Sequence, residues 1–232
     1  MNHCGSINHH HFFLIEVLFF MATKPIFITG IGTGVGKSLV SAIITEALQA
    51  DYWKPIQAGL DDGTDATTVQ QYISNSNTTV HQEAYQLKMP ASPHIAAAAE
   101  NIVLEINTIQ KAMPVTNNPF LVMEGAGGLM VPINQHQFIA DVIKTLNVPV
   151  ILVSRNYLGS INHSLLTAMV CKQYNLPVIG WVFNDHYLHY EQEIINWSGF
   201  PYIGSIPFTE QPNRQFVQEQ ATKIKERLIE LL

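Results

Sequence analysis

An α/β fold is predicted, with a mostly parallel sheet covered by helices on both faces in a single domain, and three observations predict it. From Met21 onward, short apolar runs alternate with helix-type patterns, the order that builds parallel sheets through crossover helices. Runs such as PVILVS (149–154) and PFLVME (119–124) are apolar at almost every position, as strands buried on both faces must be. The first run, IFITG, passes directly into a glycine-rich loop and a helix in IFITGIGTGVGKSLVSA (26–42).

Composition agrees with one globular domain. A chain of 232 residues buries enough surface to need no staples. Its 47% hydrophobic and 13% charged residues describe an apolar globule, and its net charge of −6 argues against nucleic acid or an anionic membrane as partner. Cys4 and Cys171 lie far apart without a C-x-x-C pair, so free thiols in a reducing, cytoplasmic setting are expected. Residues 1–20 differ in kind from the rest. Their apolar run from Phe12 to Phe20 is broken by Glu16, is too short to span a bilayer and lacks a basic n-region and cleavage site. The His9-His10-His11 triplet in such a tail is weak ground for a metal site. Residues 1–20 are therefore read as a disordered leader or a non-native start, and the folded domain as 21–232.

Strands are expected at Pro25–Thr29, Asp51–Lys54, Phe120–Glu124, Val148–Ser154, Val178–Asn184 and Tyr202–Gly204. Helices are expected at Lys37–Gln49, Ala66–Ser74, Ile102–Ala112, Phe138–Leu146, Ser160–Tyr174, Glu191–Trp197 and Arg214–Leu231. Ligands of open parallel sheets bind beyond the carboxyl ends of the strands, so the residues that follow each strand matter most.

After the first strand, Gly30, Gly32, Gly34 and Gly36 let the backbone aim its N–H groups inward at a helix start. Lys37 and Ser38 then supply what a triphosphate and its Mg²⁺ need, a cation for the β- and γ-oxygens and a hydroxyl for the metal. The usual phosphate-loop spacing, G-x-x-x-x-G-K-[ST], requires glycine at position 31, where Ile31 stands between Gly30 and Gly32, so by itself the stretch reads as a nucleotide site of unusual spacing or as a glycine-rich turn. After the second strand, Pro55 biases Lys54 to an extended conformation that points it at the same rim, although by itself Lys54 reads as a surface lysine. Thr64 can cap a helix, and Asp65 reads equally as a first-turn acid or a metal ligand. Glu124 ends an apolar strand where phosphate-loop enzymes place a Mg²⁺-linked carboxylate, ahead of Gly125, Gly127 and Gly128. Gly159 and Ser160 open a helix, either as an ordinary cap with Asn162 on the surface or as an anion site. Asn184 ends the fifth strand, where its amide suits an adenine edge or an Asx turn.

Six segments in order carry a family resemblance: TGxxTxVGKS (29–38), KPIQAG (54–59), SPH (92–94), EGAGGLMVP (124–132), PVILVSRNYLGSINHSLLT (149–167) and GWVFND (180–185). Together they resemble the dethiobiotin synthetases, P-loop NTPase-like enzymes of biotin synthesis. The resemblance implies ATP- and Mg²⁺-dependent closure of a ureido ring from 7,8-diaminononanoate and CO₂ in a homodimer. It implies Mg²⁺ on Ser38, Asp65 and Glu124, and nucleotide on Gly32, Thr33, Gly34, Val35, Gly36, Lys37, Ser38, Glu124 and Asn184. Catalytic roles fall to Lys37, Lys54 and Thr33, and substrate contacts to Lys54, Gly159, Ser160 and Asn162. Ala58 and Gly34 depart from the pattern, where relatives have a hydroxyl and an acid. A partitioning-type ATPase switch is the alternative, but no second lysine stands between positions 30 and 36.

Overall fold

The computed structural model describes residues 23–61, 63–185 and 187–232; the expected leader lies outside them. Nine strands and eight α-helices follow one another in the described residues. In chain order they are β1 (Lys24–Gly30), α1 (Lys37–Leu48), β2 (Asp51–Trp53), β3 (Ile56–Ala58), α2 (Asp65–Tyr72), β4 (Val80–His81), β5 (Tyr85–Leu87), α3 (Pro93–Ala99) and α4 (Ile106–Ala112). Then come β6 (Phe120–Gly128), α5 (Ile139–Leu146), β7 (Val150–Arg155), α6 (Ser160–Tyr174), β8 (Val178–Asn184), α7 (Glu191–Ser198), β9 (Tyr202–Ile206) and α8 (Arg214–Leu231). Seven strands form one sheet in the order β4-β2-β6-β1-β7-β8-β9, and every pairing in it is parallel. β3 and β5 form a separate parallel pair beside it.

Alternation along the strands explains why both faces are covered. On one face Ile26, Ile28, Tyr52, Val122, Ile151 and Val182 pack against α1, α2 and α8 through Val40, Ile44, Val69, Val217 and Ile224. On the other, Phe27, Trp53, Leu121, Met123, Leu152 and Trp181 pack against residues of α3 to α7, among them Ala96, Ile109, Ile139, Cys171 and Ile194. Each such side chain contributes about 1.5–3 kcal/mol relative to exposure, which is why near-continuous apolar runs are required here.

Three departures from expectation have physical reasons. β3, β4 and β5 are two or three residues long, too short for any periodic signal. The helix expected at Ile102–Ala112 starts four residues late, as α4 at Ile106, and an unexpected short helix, α3, precedes it, ending at Ala99 before Asn101 turns left-handed at φ 56°. Between them Leu104 is fully buried, so the intervening chain is anchored in the core. β6 runs four residues past Glu124, because its register to β1 jumps from Ile28↔Glu124 to Gly30↔Gly128. A Cβ on Gly128 would lie 3.1 Å from the Gly30 carbonyl, so this close pairing favours glycine.

The amino end of the sheet is tied by one carboxylate. Asp51 accepts hydrogen bonds from Thr116 Oγ1, the Thr79 amide (2.9 Å), Asn118 Nδ2 (3.2 Å) and the His81 ring (2.9 Å). Burial pushes its carboxyl up, but the bonds from Thr116, Thr79 and His81 outweigh this and hold it below the usual carboxylate range. Because the folded pKa is depressed, the contribution is complete above the unfolded value near 3.9 and is lost as pH falls through the lower folded value. Asp51→Asn is expected to destabilise the fold by about 1–3 kcal/mol at neutral pH, and chemical unfolding of both proteins should show the gap closing as the pH drops below about 4.

Candidate active site

The loop between β1 and α1 is shaped by contacts that only glycine permits. A Cβ at Gly30 would sit 2.6 Å from the Val35 side chain, so the loop's first glycine is required one residue earlier than the usual spacing, where Val35 folds back over it. At Gly36, φ is 89° and a Cβ would lie 1.8 Å from Asn184 Nδ2, the amide that donates to the Val35 carbonyl at 2.9 Å. Asn184 therefore clamps the loop to β8 through its Nδ2, a tie that the sequence did not reveal. Lys37, in the first turn of α1, donates to the Gly32 carbonyl at 2.9 Å and so closes the loop on itself.

Sheet order brings the chemistry together. β2, β6 and β1 are neighbours with parallel strands, so Lys54, Glu124 and the glycine loop emerge along one rim. Asp65 joins them from the first turn of α2. That turn is set by a reciprocal cap in which Thr64 Oγ1 accepts the Thr67 amide at 3.1 Å and Thr67 Oγ1 accepts the Thr64 amide at 2.9 Å. The Asp65 amide is in turn held by Gln57 Oε1 at 3.3 Å.

These groups form one network. Ser38 Oγ donates to Asp65 Oδ1 and lies 2.9 Å from Glu124 Oε1. Lys54 Nζ donates to Asp65 Oδ2 and lies 3.3 Å from Glu124 Oε1. Tyr52 donates its hydroxyl to Glu124 Oε2 at 2.8 Å. Glu124 and Lys54 are buried at 1% and 5% exposure, so neither charge could persist there without the other. Burial works against the Lys54 ammonium, but Glu124 and Asp65 outweigh it and hold its pKa above the ordinary lysine value. Burial draws Lys37 the other way, aided by the like charge of Lys54 and opposed by Glu124 and Asp65. For Asp65 burial is overcome by Lys54, Ser38 and Lys37, leaving its carboxyl below the ordinary range. Burial first, then Glu124 and Asp65, push the Tyr52 phenol well above its usual value, so it remains a donor.

Lys37, Ser38, Lys54, Asp65 and Glu124 line a cleft of about 700 Å³ together with Thr33, Gly34 and Gly36. Its far wall is Ala58, Pro90, Ser92 and Val131. The oxygen set of one hydroxyl and two carboxylates suits a hard cation that keeps other ligands, and among the described residues no cluster of three or more His, Cys, Asp or Glu offers a denser cage. Gly32, Thr33, Gly34 and Val35 also line a second hollow, of about 730 Å³, with Arg155, Tyr157 and Asp185. Asn184 borders a smaller recess of about 140 Å³ with Val35, Leu39, Pro207 and Phe208. A larger groove, of about 1070 Å³, lies apart; His94 faces it, with Nδ1 held by Ser92 Oγ at 3.1 Å, but none of the buried ion pairs opens into it.

Gly159, Ser160 and Asn162 are not brought into the main cleft. Gly159 starts α6 at φ 103°, Asn162 is exposed, and Ser160 is buried with its hydroxyl accepting the Tyr157 amide at 3.3 Å. Tyr52 and Gln57, which orient Glu124 and Asp65, were missed by the sequence reading. Register could have found Tyr52, because its partner Val122 is two residues from Glu124 on the same strand face.

Comparison with known proteins identifies the chain's kin. Residues 24–215 match the family model described as AAA domain. The chain is 44% identical over 202 residues to the ATP-dependent dethiobiotin synthetase of Cytophaga hutchinsonii, covering 87% of this chain and 97% of that one. It is 44% identical over 209 residues to the enzyme of the same name from Christiangramia forsetii, covering 90% and 99%. Among solved structures, the septum site-determining protein MinD from Pyrococcus horikoshii, complexed with Mg-ADP, superposes with a TM-score of 0.54 at 16% identity over 90% of this chain and 94% of that one. That likeness shows a shared P-loop NTPase-like scaffold and no more. By sequence kinship across most of its length, the chain belongs to the dethiobiotin synthetase family.

Proposed function

We propose that this protein closes the ureido ring of dethiobiotin from 7,8-diaminononanoate, CO₂ and ATP, releasing ADP and phosphate. The observation that carries the reading is the convergence of two lysines, two carboxylates and a hydroxyl in the cleft beside the glycine loop. One amine of the diamine captures CO₂ as a carbamate and releases a proton. A carbamate oxygen attacks the γ-phosphorus and the bond to the β,γ-bridging oxygen breaks, giving ADP and a carbamic-phosphoric anhydride. The second amine attacks the carbamate carbon and gives up a proton as phosphate leaves, and the ring closes.

The chain's own groups position these anions and neutralise them, which is most of what phosphoryl transfer requires. Loop amides from Gly32 to Gly36 and the start of α1 receive the phosphates, with Lys37 on the β- and γ-oxygens. Lys54, kept cationic by its carboxylates, stabilises charge as it passes from carbamate to phosphoryl oxygen. Thr33 offers its hydroxyl to the same oxygens. Ser38, Asp65 and Glu124 would hold Mg²⁺, which when bound neutralises charge across the β- and γ-phosphates. Asn184 borders the recess assigned to adenine.

The diamine's distal carboxylate is assigned to the start of α6 in a second copy of the chain. α6 is apolar on two faces: Ala168 and Cys171 enter the core, while Leu166 and Met169 are 51% and 65% exposed, as is Leu158, just ahead of the helix, at 79%. An outward apolar stripe that leads to Gly159 and Asn162, themselves outside the chain's own cleft, is supported best by a homodimer in which each copy completes the other's site.

Phosphate release from ATP should require both the diamine and CO₂; release indifferent to either would favour a switch ATPase instead. Lys37→Ala and Lys54→Ala are each expected to cut turnover by about 10²–10³-fold, the scale of a lost electrostatic stabiliser, and near-normal turnover of Lys54→Ala would remove that lysine from the reacting centre. Replacing Leu166 and Met169 together by glutamate should give a monomer in sedimentation velocity, with a folded melting profile and a sharply raised KM for the diamine.

A further inference from the structure

One buried hydroxyl in the site has no part in the reaction described above. Tyr52 is 0% exposed and Glu124 1% exposed. Parallel pairing sets Tyr52 beside Val122, and Glu124 lies two residues further on the same face, about 6–7 Å along the strand. The phenol spans that distance, and its hydroxyl meets Glu124 Oε2 at 2.8 Å. Packing alone does not call for that oxygen, since the ring is embedded in the face that holds Ile28, Val40, Ile44 and Val122, where phenylalanine would serve equally.

The two oxygens of Glu124 therefore have different surroundings. Oε1 lies 2.9 Å from Ser38 Oγ and 3.3 Å from Lys54 Nζ, on the cleft side. Oε2 is engaged inside the wall. Turning the carboxylate to present both oxygens to the cleft would leave the phenol and the wall without a partner in a dry environment. Mg²⁺ and Mn²⁺ prefer compact octahedral shells with one oxygen from each carboxylate, whereas Ca²⁺ readily takes both oxygens in a larger shell.

We propose that Tyr52 is a positioning residue that pins one oxygen of Glu124, so that the site presents a single-oxygen carboxylate and discriminates Mg²⁺ and Mn²⁺ from Ca²⁺. This rests on the reading of Ser38, Asp65 and Glu124 as the metal set.

The experiment measures binding, with no turnover. Mn²⁺ affinity of the full-length protein with ADP is read by electron paramagnetic resonance, and Ca²⁺ affinity by competition, for the unaltered chain, Tyr52→Phe, Glu124→Gln and the double variant. Tyr52→Phe is expected to weaken Mn²⁺ by about tenfold and to leave Ca²⁺ equal or tighter, so that discrimination narrows, while ADP affinity without metal is unchanged. The double variant should bind Mn²⁺ no more weakly than Glu124→Gln, because the hydroxyl acts only through that carboxylate. If Glu124→Gln loses Mn²⁺ but Tyr52→Phe keeps the original Mn²⁺ to Ca²⁺ ratio, or if the two losses add, the inference fails while the metal set stands. Mn²⁺ affinity untouched by Glu124→Gln overturns the metal set itself, and the inference with it. Loss of cooperative melting or of metal-free ADP binding in Tyr52→Phe would show a wider structural role for the hydroxyl and also overturn the proposal.

Discussion

Everything at the carboxyl rim depends on one buried ion network, Lys54 between Asp65 and Glu124 with Ser38 across them. A charge taken out of water is tolerated only if opposite charge and hydrogen bonds replace the lost solvent, and removing one partner of such a pair typically costs about 3–5 kcal/mol. The network gains little stability for that risk. Its value is positional, because each member is held by the others at the place where a triphosphate and a cation would divide them, ammonium groups to phosphate and carboxylates to metal.

Why the groups meet there is a matter of topology. All strands of the main sheet run parallel, so their carboxyl ends share one side, and the order β2-β6-β1 makes three separate stretches of chain neighbours. The register break after Glu124 then lets β6 pass close under the glycine loop instead of diverging from it. The same scaffold serves the MinD structure that it resembles, and the two sequences are only 16% identical. Scaffold alone does not choose between a switch and a ring-closing ligase; the residues grafted on its rim do.

Much of this was legible in the residues. The alternation of apolar runs with helical patterns predicted the sheet and its two covered faces, and Gly-Lys-Ser after an apolar strand located the phosphate loop despite its extra residue. Lys54, Asp65 and Glu124 were each ambiguous alone, since a surface lysine, a dipole-complementing acid and a strand-end glutamate are all common. What the sequence did not display were short or irregular pieces: the β3–β5 pair, the short helix α3 with the late start of α4, and the continuation of β6 through three glycines. Those are decided by burial of single residues such as Leu104 and by backbone approach at Gly30 and Gly128, and neither leaves a periodic trace.

By itself, then, the sequence determined which chemical groups are available and on which side of the sheet they lie, because strand polarity and side-chain alternation are local properties of the chain. Only the tertiary structure decided which of them touch. That Tyr52 rather than solvent meets Glu124 Oε2, that Asn184 grips the glycine loop, and that Gly159 and Asn162 stand outside the chain's own cleft all depend on register and strand order. Those are set by the packing of the whole core, so no window of sequence contains them.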